Sequence, residues 1–191
     1  MARLLDRSQL ARLWRTPDDE VMPFASLPTG VDLCYETFGE STDPYLLLMH
    51  GMGSQLLLWE EGFCRALAAK GFLVVRYDHR DSGLSTTLPD PPAGRVAYTL
   101  SDMAADAAAL LDHLGASDAH IVGFSLGGMV AQVFAAEHFT RTRSLVSMSS
   151  NTGHLSYGQP TGETLEELLA PTPDDPVERV AKDLDDRRRW A

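Results

Sequence analysis

The sequence predicts a mostly parallel α/β sheet wound with helices on both faces and entered through an N-terminal hairpin. Three observations predict it. Short continuous apolar runs, YLLLM (45–49), FLVVRYD (72–78), HIVGF (120–124) and SLVSMS (144–149), have the length and saturation of strands covered on both faces. Segments of helical period lie between them, so strand and helix alternate as in βαβ units. Ahead of the first run, FASLPTGVDLCYETFG (24–39) sets two strand-like stretches around Pro28-Thr29-Gly30, the turn chemistry of a hairpin.

Taken in order, residues 1–21 carry scattered charges and no apolar h-region. They read as an extension ahead of a domain that starts near Met22 and runs to residue 155. After YLLLM a helix is expected over 54–70, with Leu57, Leu58, Phe63, Leu67 and Ala68 on one face and Gly71 closing it. The Pro- and Gly-rich loop 88–95 leads to a helix striped by Leu100, Met103, Ala107, Leu110, Leu111 and Leu114, which ends at Gly115. LGGMVAQVFAAEHF (126–139) is the next helix. Residues 156–191 read as the start of cap helices, with Asp174 and Asp175 capping ahead of Pro176. Val177, Val180, Ala181 and Leu184 form an apolar stripe there, and no strand follows before Ala191. The chain is therefore expected to be the N-terminal part of a longer protein, its sheet cut short before the last strands.

Composition narrows the partners. With 191 residues, 44% hydrophobic and 23% charged, the chain suits one soluble domain with a real core. A net charge of −11 argues against nucleic acid or an anionic membrane as partner, since both need basic surface. No stretch approaches the ~18 consecutive apolar residues of a membrane span. Cys34 and Cys64 stand far apart without metal-ligand spacing, as a reduced, buried pair would, and the cytoplasm is the expected compartment.

The chemistry centres on Gly123-Phe124-Ser125-Leu126-Gly127, a G-x-S-x-G pattern at the junction of a predicted strand and helix. A serine there sits on a sharp turn that lifts its hydroxyl above the carboxyl end of the sheet. Free N–H groups at the helix start can hold a developing oxyanion, with the Leu126 amide as first donor. The loop His50-Gly51-Met52-Gly53 leaves YLLLM at the same edge and offers the Met52 amide as the second. His50 reads as a structural hydrogen-bonder. The competing reading of the serine is a helix N-cap with glycines for close packing.

In this order and spacing, LLLMHGMGS, RYDHRDSGLST, HIVGFSLGGMVAQVFAAEH and SLVSMSS resemble the α/β-hydrolase fold superfamily. RYDHRDSGLST resembles most its bacterial branch of aclacinomycin methylesterase-like, small-substrate esterases. The resemblance implies a Ser–acid–His triad with Ser125 as nucleophile, Met52 and Leu126 as backbone oxyanion donors, and Gly51 and Phe124 beside the substrate. It implies a small ester or lactone as substrate and neither a metal nor an organic cofactor. Perhydrolysis and C–C bond hydrolysis are known on the same scaffold. The superfamily's acid and histidine lie beyond a cap segment, so neither is expected in this chain. Of the histidines after Ser125, His138 lies in the helix behind the turn and faces away, and His154 would be a non-standard base. Asp78-His79 reads as part of a hydrogen-bonded loop tied by Arg80 and Asp81, with Gly83 making the turn, rather than as an acid–base pair. The rival class is a non-catalytic binding module or inactive fragment, open to self-association through an exposed sheet edge.

Overall fold

The computed structural model describes residues 22–153, 158, 161–171, 173 and 175–190. The chain divides into two units, Met1–Tyr157 and Gly158–Ala191.

The first unit is built on a six-stranded sheet: β1 (Phe24–Ser26), β2 (Asp32–Phe38), β3 (Tyr45–Met49), β4 (Leu73–Tyr77), β5 (Ala119–Phe124) and β6 (Thr142–Met148). Their spatial order is β1-β2-β4-β3-β5-β6. β1 and β2 form the expected hairpin, with Phe24 opposite Cys34. β2 runs antiparallel to β4, and the pairs β3–β4, β3–β5 and β5–β6 are parallel. Three helices cover this sheet: α1 (Glu61–Ala68), α2 (Leu100–His113) and α3 (Leu126–Glu137).

The continuous apolar runs are explained by coverage of both faces. Along β3, Leu47 and Met49 enter the larger core with Leu110, Leu111, Val130 and Phe134 of α2 and α3. Leu46 and Leu48 point the other way, into a smaller cluster with Trp59, Val74 and Cys64 of α1. Helix α2 starts on a capping box, in which the Thr99 side chain accepts from the Asp102 N–H while the Asp102 carboxylate accepts from the Thr99 N–H. β6 closes the described edge, and its Leu145 and Val146 are exposed. Cys34 and Cys64 are buried and unbridged, and burial pushes the Cys34 thiol up to about 12.

The helix expected over 54–70 is broken. Leu56–Leu58 forms a single 3₁₀ turn, and α1 begins only at Glu61. The segment is held instead from β4 and the loop after it, and β4 takes the Trp59 carbonyl that a continuous helix would pair internally. The Leu56 N–H donates to Asp78 Oδ1 at 2.7 Å, and the Trp59 carbonyl accepts from the Arg76 guanidinium. The apolar face shifts accordingly: Leu56 is buried, whereas Leu57 and Phe63 are exposed.

The second unit contributes α4 (Gly162–Leu169) and α5 (Pro176–Trp190). Asp175 caps α5, its Oδ1 accepting from the Val177 and Glu178 amides at 2.9 and 3.0 Å. Val177, Val180 and Leu184 of the predicted stripe are exposed. Asp174 and the reading of residues 1–21 lie outside the described residues. Among the described residues no helix is long and apolar enough to cross a membrane.

Candidate active site

The loops that follow β3, β4 and β5 meet at one end of the parallel strands. Ser125, the first residue after β5, holds φ 53° and ψ −118°, a conformation that costs about 1–3 kcal/mol for a residue other than glycine. Its backbone is held on both sides. The N–H donates to the Met148 carbonyl at 2.9 Å, and the carbonyl accepts from the Gly128 and Met129 amides and from Ser150 Oγ. The turn also needs close backbone approach. A Cβ on Gly123 would overlap the Gly127 carbonyl, and one on Gly127 would overlap the Met49 carbonyl and lie 2.6 Å from the His50 oxygen.

Of the residues expected around the hydroxyl, Gly51 and Phe124 meet at the turn, and Gly51, Met52 and Leu126 border one cavity. Gly51 lies against the turn, since a Cβ there would sit 3.3 Å from both Ser125 Cβ and Phe124 Cδ1. Among the described residues no acceptor engages the Met52 or Leu126 amide, and no side chain hydrogen-bonds to Ser125 Oγ. A cavity of about 150 Å³ borders Gly51, Met52, Leu126, Tyr98 and Met103. Ser125 does not itself line it, and Phe124, 37% exposed, packs toward Gly51 instead. A hollow of about 250 Å³ beside Tyr45 and Asp118, at the opposite end of the strands, contains none of the candidate residues. His138 caps the far end of α3 with its ring against Phe134, about 20 Å from the turn at 1.5 Å per residue. His154 lies outside the described residues.

Beneath the cavity, the loop after β4 is tied as expected. Asp78 accepts from the Leu56 and Leu84 amides at 2.7 and 2.9 Å, which leaves its carboxylate no free role as an acid–base partner. Burial raises its pKa, while those two amide bonds oppose the rise. Gly83, at φ 51°, leaves room for that carboxylate. Asp81 accepts from the Leu88 N–H at 2.5 Å. Arg80 makes two bonds of 2.7 Å to Asp106 of α2, and this partner holds the guanidinium pKa above its ordinary value. Asp106 was not singled out in the sequence. Its signal was an acid beside the apolar stripe of α2, where burial demands a counter-charge.

His50 and His79 form a buried pair, ring centroids 4.4 Å apart. Burial lowers the His50 pKa to about 4, and burial plus the neighbouring His50 ring lowers that of His79 well below 6.5. The folded state therefore binds fewer protons than the unfolded chain between those values. The stability contributed by the neutral pair is present above pH ~6.5 and is lost as pH falls toward 4, at up to ~1.4 kcal/mol per pH unit for each ring. Asp78, raised from 3.8, has the opposite slope just above that value, but one carboxyl does not offset two imidazoles. Urea titrations at pH 7.5, 6.0 and 5.0 should show stability falling stepwise. A flat profile would show that the rings are not held neutral.

Comparison with known proteins places these features in context. Residues 44–184 match the family model described as the alpha/beta hydrolase fold. The chain is 36% identical over 118 residues to rhodomycin D methylesterase of Streptomyces peucetius, covering 62% of this chain and 39% of that protein. It is 30% identical over 129 residues to 3-oxoadipate enol-lactonase 2 of Acinetobacter baylyi, covering 68% of this chain and 45% of that one. Among solved structures, a hydrolase from Pseudomonas aeruginosa superposes with a TM-score of 0.66 at 30% identity, over 86% of this chain and 58% of its own. The chain thus spans about two fifths of the length of these curated relatives.

Proposed function

This chain belongs to the alpha/beta hydrolase fold family, and from that premise we propose that it carries the nucleophile and oxyanion hole of a serine hydrolase acting on a small ester, lactone or related acyl compound. One observation carries the reading: Ser125 stands on a strained, doubly anchored turn next to a cavity bordered by Met52 and Leu126, whose amides engage no acceptor among the described residues. Strain of this kind persists where the surroundings over-determine it, and such positions cluster at active sites.

Ser125 Oγ attacks the acyl carbon, and its proton passes to a general base outside the described residues. The Met52 and Leu126 N–H groups hold the oxygen that becomes negative, with Gly51 and Phe124 bordering the acyl group. The tetrahedral intermediate collapses with loss of the alcohol, and water then attacks the ester at Ser125 to regenerate the hydroxyl. Names among the relatives, a methylesterase and an enol-lactonase, support a small ester or lactone as substrate.

The test is a fluorophosphonate probe followed by peptide mass spectrometry, with p-nitrophenyl acetate turnover in parallel. Oxyanion donors and binding alone leave a rate ~10³–10⁴ over water when a triad member is missing. Labelling confined to Ser125 is expected, slow where the base is not engaged because the hydroxyl is then a weak nucleophile. Labelling at another residue with Ser125 unmodified would defeat the reading.

A further inference from the structure

We infer that His50 is a positioning residue for the oxyanion hole, its ring pinning the Gly51–Met52 peptide so that the Met52 N–H faces the carbonyl attacked by Ser125. The inference rests on the reading of that amide as an oxyanion donor.

The Gly51 carbonyl and the Met52 N–H belong to one planar, trans peptide, so fixing the first in one direction aims the second in the other. Gly51 O accepts from His50 Nδ1–H at 2.8 Å and from the Ser54 N–H at 3.3 Å. The histidine bond is the shorter of the two. The need for it follows from the sequence: a glycine precedes the peptide bond, and Gly53, at φ 69°, follows Met52. Such a segment rotates easily. A flipped peptide would present the Gly51 carbonyl, rather than an N–H, to the developing oxyanion.

The tautomer is set by His79. Its backbone N–H donates to His50 Nε2 at 3.2 Å, so His50 Nε2 must be unprotonated and the ring proton must sit on Nδ1. The His79 ring closes the arrangement, Nε2–H donating to the His50 carbonyl at 3.2 Å. Only the neutral Nδ1–H form of His50 makes both of its bonds. Burial, with His50 1% and His79 3% exposed, keeps that form in place through the neutral range. His50 borders the cavity but, among the described residues, its ring bonds run to the Gly51 carbonyl and the His79 N–H and none to Ser125. It acts through the peptide it holds, in a step where charge develops, and its effect falls on kcat rather than KM.

Two measurements test this. Long-range ¹H–¹⁵N spectra of histidine-labelled protein should show His50 as the Nδ1–H tautomer at pH 7, and an Nε2–H tautomer would overturn the inference whatever the activity. In an ester-hydrolysing preparation, His50→Gln can reach the His79 N–H but puts no donor at the Nδ1 position. It should lose about 10²-fold in kcat, the scale of one oxyanion donor, with KM little changed. His50→Asn places its amide nitrogen where Nδ1 was and should recover most of that loss. Equal losses in the two variants, or a Gln variant with unchanged kcat, would overturn the inference while leaving Ser125 as nucleophile. Absence of Ser125 labelling in a wild type that shows the Nδ1–H tautomer would instead overturn the hydrolase reading, and the inference with it.

Discussion

Ser125→Ala is expected to cost about 10⁶ in kcat wherever the base is engaged, and to erase the slow, site-specific labelling where it is not. Alanine fits the turn as serine does. The contacts that fix this residue, to Met148, Gly128, Met129 and Ser150, all run through its backbone N–H and carbonyl. Among the described residues Oγ contributes no hydrogen bond to the fold, so its removal takes the nucleophile and leaves the scaffold. The melting temperature should accordingly stay within about two degrees of wild type, since a substitution that leaves its surroundings untouched changes stability by less than ~0.5 kcal/mol. Where the base is engaged, a variant that kept more than a percent of p-nitrophenyl acetate turnover would show that Ser125 is not the nucleophile.

How much of this was legible depended on how local the cause was. The hairpin, the strands and α2 and α3 follow from apolar period and turn chemistry within a few residues, and the structure shows them within a residue or two of the expected bounds. The turn at Ser125 was legible for the same reason, because strand, G-x-S-x-G and helix are contiguous. The break between Leu58 and Glu61 was not. Its cause is Asp78 and Arg76, which reach Leu56 and Trp59 from β4 and the loop after it. Nor does period reveal the order β2-β4-β3, in which the second parallel strand slips between the hairpin and the first. The loop after β4 falls between these cases. Arg80 and Asp81 advertised a tied loop, but the tie to Asp106 spans 26 positions and a whole connecting segment. The His50–Gly51 tether carries no sequence signal at all, since a histidine before a glycine is compatible with any ring orientation.

The second large effect tests that architecture without reference to activity: Gly127→Ala should leave no folded protein at 25 °C. The position lies in the first turn of α3, where a methyl group costs nothing by helix propensity, since alanine outranks glycine there by about 1 kcal/mol. Judged from the helix alone, the substitution should stabilise. The packing reverses the sign. The new Cβ would overlap the Met49 carbonyl, lie 2.6 Å from the Met49 carbonyl carbon and 2.6 Å from the His50 oxygen, all of them backbone. No rotamer relieves the overlap, because the methyl has none and β3 is pinned between β4 and β5. Relief requires α3 to lift away from the sheet, which exposes Val130, Ala131 and Phe134, each fully buried. Burial of a large apolar side chain is worth ~1.5–3 kcal/mol, so uncovering this face exceeds the helix-propensity gain several times over. Lifting α3 also draws the Leu126 amide away from Gly51, so any residual folded fraction should fail to label with fluorophosphonate. A Gly127→Ala protein that melts at or above the wild-type temperature would mean that α3 does not sit on β3 as closely as these contacts require.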